Sequence, residues 1–308
     1  MFKKILFATT ATSTCDNAAH VAFDLAKKYT SELSVLHIFG RPSRGFSTIV
    51  TDARTGEDGH ADDDYVAWVR EEMNQYYEKQ MGECGTCEMD ARVGVPHTEI
   101  LRTARKKDTD LIVMGAHSRQ EEPGATRYRS VVGSTMQKVA KSARCPVLIV
   151  SRPCTTCLWY FSNIIFGTDF TKASDSAFKF AFKLCQEIGS KLYLFHALDL
   201  SATQSGTILE QTEIEGMIKA ARKKIEQRYV SQMGDFDNYE IEIWEGIPYV
   251  EILKYSREKN GDLIVMSHHT REIDPEKALL GSTVEQVVLR ASCPVASVNR
   301  PHKVSDDE

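Results

Sequence analysis

This sequence predicts two tandem α/β domains, each a mostly five-stranded parallel sheet doubly wound with helices on both faces, and three observations predict it. An ordered set of motifs occurs twice along the 308 residues. The apolar runs are short, rich in branched residues and nearly uniform in hydrophobicity, which is the pattern of strands covered on both sides. Helical patterns separate those runs, and strands alternating with helices build a doubly wound sheet.

The elements follow in order. In the first copy the strand runs are 5–8, 35–38, 111–114 and 147–150, with helical patterns over 17–28, 65–79, 98–106 and 135–142. Lys4-Ile5-Leu6-Phe7-Ala8-Thr9-Thr10 returns as Asn163-Ile164-Ile165-Phe166-Gly167-Thr168-Asp169, and Leu33-Ser34-Val35-Leu36-His37 as Leu192-Tyr193-Leu194-Phe195-His196. Gly94-Val95-Pro96 returns as Gly246-Ile247-Pro248, and Asp110-Leu111-Ile112-Val113-Met114 as Asp262-Leu263-Ile264-Val265-Met266. Gly133-Ser134-Thr135 matches Gly281-Ser282-Thr283, and Cys145-Pro146-Val147 matches Cys293-Pro294-Val295. The numbering offset is 159 at His37/His196, 152 at Asp110/Asp262 and 148 at Gly133/Gly281. The first copy therefore carries extra residues after its second strand and again just before Gly133. These repeats set the domains at 1–150 and 163–300, with a linker over 151–162 and an acidic tail over 301–308. At ~3.3 Å per residue the linker spans roughly 40 Å. Residues 40–64, rich in Gly, Ser, Thr and Asp, read as a mobile excursion. Right-handed crossovers put the ligand loops of such Rossmann-like sheets at the carboxyl ends of the strands.

Composition narrows the function. A hydrophobic share of 42% and a charged share of 26% are ordinary for globular domains. A net charge of −5 argues against a broad nucleic-acid-binding face. The first residues hold a basic pair and only a few apolar residues, short of a signal peptide's ~7–15, and no stretch approaches the ~20 needed to span a bilayer. The expectation is a cytoplasmic protein with no membrane partner, whose eight cysteines are reduced thiols.

Met114-Gly115-Ala116-His117-Ser118-Arg119, a loop, Gly133-Ser134-Thr135, a helix and Cys145-Pro146-Val147 together resemble the universal stress protein family. Met266-Ser267-His268-His269-Thr270-Arg271 with Gly281-Ser282-Thr283 and Cys293-Pro294-Val295 repeats the resemblance. It implies a tandem member of that family, pairing of last strands, and in many members a bound ATP or AMP. Nucleotide-binding members carry Gly-x-x-Gly, about nine residues, then Gly-Ser or Gly-Thr, with an aspartate ending the first strand near base and ribose. Carried over, the first copy's candidates are Thr10, Ile38, Gly115, His117, Ser118, Arg119, Gly133, Ser134 and Thr135. Those of the second are Asp169, Ala197, Ser267, Thr270, Gly281, Ser282 and Thr283. The chemistry is readable without the family: glycine lets backbone approach phosphate, and a helix start offers unpaired N–H groups.

Neither copy has the whole pattern. In the first, Ser118 replaces the second glycine, 14 residues (119–132) intervene and Thr10 takes the aspartate position. In the second, Asp169 stands, but Ser267 and Thr270 replace both glycines, with 10 residues (271–280) before Gly281. Segment 119–132 sums to +1 and 271–280 to −1, so a polyphosphate should prefer the first copy, where arginines offer forked donors. The alternative reading makes Gly133-Ser134 and Gly281-Ser282 helix N-caps and the chain an interaction scaffold.

His37 and His196 read as structural. Cys84-Gly85-Thr86-Cys87 and Cys154-Thr155-Thr156-Cys157 admit three readings: four ligands to one zinc, separate redox dithiols, or idle thiols. The expectation is no stoichiometric metal, with Cys145 and Cys293 buried and inert. No Gly-x-x-x-x-Gly-Lys-Ser/Thr loop, Gly-x-Gly-x-x-Gly turn or Gly-x-Ser-x-Gly elbow appears, so the expectation is binding without catalysis. An adenylate- or flavin-using enzyme is the runner-up. The resemblance also implies intramolecular pairing of the two domains through their last strands, about an axis near Pro146 and Pro294; a homodimer is a further option.

Overall fold

A computed structural model describes residues 2–39, 49–51, 58–60, 63–116, 133–152, 161–200, 210–267 and 282–298. The chain divides into two compact units, Met1–Ser151 and Arg152–Glu308.

The first unit contains β1 (Lys4–Thr9), α1 (Asp16–Tyr29), β2 (Glu32–Phe39), β3 (Ile49–Thr51), β4 (Asp58–His60), α2 (Asp63–Tyr76), α3 (Glu78–Glu83), β5 (Cys87–Val93), α4 (Pro96–Lys106), β6 (Leu111–Gly115), α5 (Ser134–Ser142) and β7 (Val147–Val150). Its main sheet runs β7-β6-β1-β2-β5, every pair parallel. The order reverses between β6 and β1, and the carboxyl ends flanking such a reversal are where open α/β sheets take ligands. Inner strands are apolar throughout because both faces are covered: Leu6, Phe7, Val35, Ile112 and Val113 are all buried.

The second unit repeats the plan with β8 (Asn163–Gly167), α6 (Lys172–Ile188), β9 (Lys191–Leu198), α7 (Gln211–Arg228), β10 (Tyr239–Glu245), α8 (Pro248–Glu258), β11 (Leu263–Met266), α9 (Ser282–Arg290) and β12 (Val295–Ser297). Its strands run β12-β11-β8-β9-β10, again all parallel, with the reversal between β11 and β8.

Two repeated motifs find their reason here. The aspartate before each Leu-Ile-Val-Met run anchors the first strand: the Asp110 carboxylate accepts from the N–H groups of Lys3 and Lys4 at 2.9 Å. Asp262 accepts from Ser162 and Asn163 at 3.0 Å. In Gly-Val-Pro and Gly-Ile-Pro the proline opens the helix, where its missing N–H costs nothing. Gly246 has φ 137°, and a Cβ there would meet the Glu251 side chain at 2.8 Å.

Within the excursion over 40–64, β3 and β4 pair antiparallel, and α2 begins at Asp63. One expectation is corrected. The helix expected over 65–79 is instead two, broken at Tyr77, whose ring is drawn into the core and fully buried.

Candidate functional site

At the carboxyl end of the first sheet, the loop after β1 is held from two sides. Thr9 and Tyr77 place their hydroxyls 2.6 Å apart in the buried interior, and Thr9 Oγ1 accepts from the N–H of Ala11 at 2.9 Å. From β2, His37 Nδ1 donates to the Thr9 carbonyl at 2.9 Å, since a carbonyl oxygen can only accept. Ala11 turns the chain sharply at φ 52°. Thr10, the candidate in the aspartate position, places its hydroxyl 2.8 Å from that of Thr12 and 3.2 Å from Cys15 Sγ. Ile38 lies half-buried on β2, one residue beyond His37.

The other side of this sheet end is set by β6 and α5. Gly115 ends β6, paired with Val150. The N–H of Gly133 donates to the carbonyl of Ala116 at 3.1 Å, which seats the start of α5 against the end of β6. Helix geometry leaves the first N–H groups of α5, those of Ser134, Thr135 and Met136, without intrahelical acceptors. Gly133 is the cap residue and makes no side-chain cap bond, so Ser134 is the first helical residue and not an N-cap. Thr10, Ile38 and Gly115 thus lie at the carboxyl ends of the adjacent strands β1, β2 and β6 beside the strand-order reversal, and Gly133 is bonded to Ala116 just after β6.

The second domain repeats the frame and changes its filling. Thr168 and Tyr229 hydroxyls are 2.7 Å apart, Phe170 N–H donates to Thr168 Oγ1 at 3.0 Å, and His196 Nδ1 donates to the Thr168 carbonyl at 2.8 Å. Phe170 takes the sharp turn at φ 62°. Asp169 is exposed as a residue, yet its Oδ1 accepts from Thr171 N–H at 3.0 Å, Thr171 Oγ1 at 2.7 Å and Ser174 Oγ at 2.6 Å. Burial opposes its ionisation, but the Ser174 and Thr171 hydrogen bonds outweigh it and hold the carboxyl below the usual range. Ser267, in place of a family glycine, lies 3.1 Å from Ser174 through the two hydroxyls. Ala197 follows His196 on β9. Thr283 is the second residue of α9, which Ser282 opens.

Sequence reasoning missed the clamp that completes this end. Arg228 forks onto Asp175 at 2.7 and 2.8 Å and also donates to the carbonyls of Phe170 at 2.6 Å and Thr171 at 3.0 Å. Lys224 Nζ lies 4.2 Å from the Phe170 ring centroid. Extending the repeat would have exposed Tyr77/Tyr229 and Tyr76/Arg228, each at the offset of 152.

His117, Ser118, Arg119, Thr270 and Gly281 lie outside the described residues, as do Cys154 and Cys157 and both inter-motif segments, 119–132 and 271–280. The expectation of reduced thiols is corrected for one pair: Cys84 and Cys87 are joined as a disulfide. Their turn brings the Cα atoms to 5.9 Å, within bonding range, so a local ring forms without any wider disulfide framework. Two sulfurs bonded to each other do not serve as thiolate ligands. Among the described residues no group of three or more His, Cys, Asp or Glu could hold a metal ion. Cys145 and Cys293 are buried, and burial pushes the Cys293 thiol up to about 12.

Comparison with known proteins decides the family. The model of the universal stress protein family matches twice, over residues 1–151 and 161–299. The chain belongs to the universal stress protein family. It is 30% identical over 160 residues to universal stress protein MJ0531 of Methanocaldococcus jannaschii, covering 50% of this chain and 84% of that one. Universal stress protein YxiE of Bacillus subtilis is 30% identical over 158 residues, 49% of this chain and 99% of its own. The crystal structure of a universal stress protein from Archaeoglobus fulgidus shares the fold, with a TM-score of 0.62 at 19% identity, over 100% of this chain and 98% of that one. No described helix is long and apolar enough to cross a membrane.

Proposed function

We propose that this universal stress protein binds an adenine nucleotide, ATP or AMP, at the carboxyl end of its first sheet, and acts as a cytoplasmic stress sensor or regulator without catalysis. The observation that carries the reading is the seat of α5. Its unpaired N–H groups start beside the end of β6, held there by the Gly133–Ala116 bond, one strand away from Thr10. A helix start at a strand-order reversal favours phosphate through both N–H donors and dipole. The second domain supports the reading less, because Asp169 Oδ1 is already committed to the loop that begins α6. That commitment favours a second reading for the second domain alone, an interaction module whose carboxylate serves the fold.

Calorimetric titration of the full chain with ATP and AMP tests this. One weak site is expected, abolished by Gly115→Val, unchanged by Ser282→Ala and tightened by Thr10→Asp, which restores a ribose acceptor without crowding the phosphate side. Binding that survives Gly115→Val in folded protein and disappears in Ser282→Ala would move the site to the second domain. No saturable binding would leave the scaffold reading. The same proposal includes pairing of β7 with β12 within one chain. Cysteines introduced into both strands should crosslink intramolecularly, and crosslinks only between chains would refute it.

A further inference from the structure

We propose that Cys84 and Cys87 form a reversible redox site, exchanging with a dithiol or its disulfide, whose state sets how firmly the loop after β1 is held. The inference does not rest on nucleotide binding.

The fold does not need this bond. At the same place the second domain carries Phe236 and Tyr239, yet its turn makes the same hydrogen bonds. Cys84 N–H donates to Met81 O at 3.2 Å and Leu33 N–H to Thr86 O at 2.9 Å. Their counterparts are Phe236 N–H to Met233 O at 3.1 Å and Leu192 N–H to Asn238 O at 3.0 Å. The second domain fastens its turn by packing Phe236 on Phe182, ring centroids 5.5 Å apart. A ring closed over so few residues also removes little chain entropy, so stability gives little reason for the bond.

The site is reachable. Cys84 and Cys87 are half-buried, Gly85 and Thr86 between them are exposed, and a Cβ built on Gly85 meets nothing within 4 Å. The other described cysteines, Cys15, Cys145, Cys185 and Cys293, are buried. Among the described cysteines, exchange is thus directed to one pair. A reductant thiolate attacks one sulfur and expels the other as a thiolate, which takes a proton. The reductant's second thiol then resolves the mixed disulfide. The protein gains two electrons and two protons, and the reductant leaves as its own disulfide.

The consequence is mechanical. The six residues of α3 run from Tyr77 at one end to Cys84 at the other, and Met81 N–H donates to Tyr77 O at 2.8 Å. Tyr77 carries the hydroxyl contact to Thr9, which in turn holds Ala11. Reduction releases the far end of α3 from β5 and lets this short helix fray toward Tyr77.

The test uses full-length protein carrying Cys154→Ser and Cys157→Ser, so that no other Cys-x-x-Cys pair reacts. It is equilibrated in reduced-to-oxidised dithiothreitol mixtures, then alkylated and analysed by mass spectrometry, with amide hydrogen exchange read in parallel. Cys84 and Cys87 should convert together and reversibly in folded protein while the buried thiols stay unlabelled. Exchange over 77–87 and 9–12 should rise severalfold on reduction. Cys84→Ser/Cys87→Ser should fold and match the reduced form in both buffers. Resistance to reduction until unfolding would make the bond structural and overturn the proposal. So would failure of the pair to re-form, or unchanged exchange at 9–12.

Discussion

The two domains hold the loop after the first strand with the same tyrosine, threonine and histidine, and then diverge one residue further out. In the first, Tyr76 donates to Asp16 at 2.8 Å through a single exposed hydrogen bond. In the second, Arg228 takes the equivalent place and ties Asp175 and two loop carbonyls together. Thr10 and Ala11 of the first loop are replaced by Asp169 and Phe170 in the second, while Thr12 returns as Thr171, which keeps its hydroxyl. The lesson is a division between frame and filling. The buried contacts that define the turn persist in both copies, whereas the outer contacts differ: one exposed hydrogen bond from Tyr76 in the first, and a clamp by Arg228 onto the loop itself in the second.

The largest effects should fall on the shared frame. Tyr77→Ala and Tyr229→Ala each remove a fully buried aromatic ring, and about 3–5 kcal/mol should be lost in either case. Urea melts of the full chain check this, and a clear inequality would break the claim that the frames are equivalent. The next effect separates the domains. Arg228→Ala should cost about 1–2 kcal/mol after allowing for solvent screening of a partly exposed pair, against under about 1 kcal/mol for Tyr76→Phe. Equal losses in thermal melts would remove the contrast between the two loops.

Capping gives a smaller and equally asymmetric pair. Thr171 caps α6 by accepting from Ser174 N–H at 3.4 Å, so Thr171→Ala should cost about 1 kcal/mol. Ser134 makes no cap bond, so Ser134→Ala should change stability by less than about 0.5 kcal/mol while weakening nucleotide binding. Titration and melting of the same variants test both halves of that statement.

The smallest effect is on pH dependence. Burial lowers the pKa of His196, with Lys224 adding to it, against the opposing pull of the Thr168 carbonyl and Asp169. On acidification the unfolded chain therefore takes up the proton first. The stability from neutral His196 is full above about pH 6.5 and falls as pH drops below it. The depressed Asp169 carboxyl adds a second loss of the same sign beginning near pH 3.8, as its hydrogen bonds are given up. His196→Asn should flatten the fall in melting temperature below pH 6.5 without touching the lower step. An unaltered slope would show that other groups set it.

The sequence by itself determined the duplication and the alternation of strands and helices that makes each copy a doubly wound sheet. These follow from apolar runs long enough for covered strands and from Gly, Pro and Asp at fixed places in each repeat. Thr10, Ile38, Gly115 and Gly133 were singled out by the family resemblance, while the doubly wound pattern explains why loops after neighbouring strands lie at one sheet end. Only the tertiary structure decided what each side chain does there. Asp169 looked like a free ribose acceptor in the linear order, but α6 brings Thr171 and Ser174 onto its Oδ1. Arg228 reaches Asp175 across 53 residues. Tyr77 breaks a continuous helical pattern because burying its ring on Phe7 and Phe23 outweighs one uninterrupted helix. Local pattern encodes which surface a residue occupies. Partners across tens of residues are set by packing, which a one-dimensional pattern does not contain.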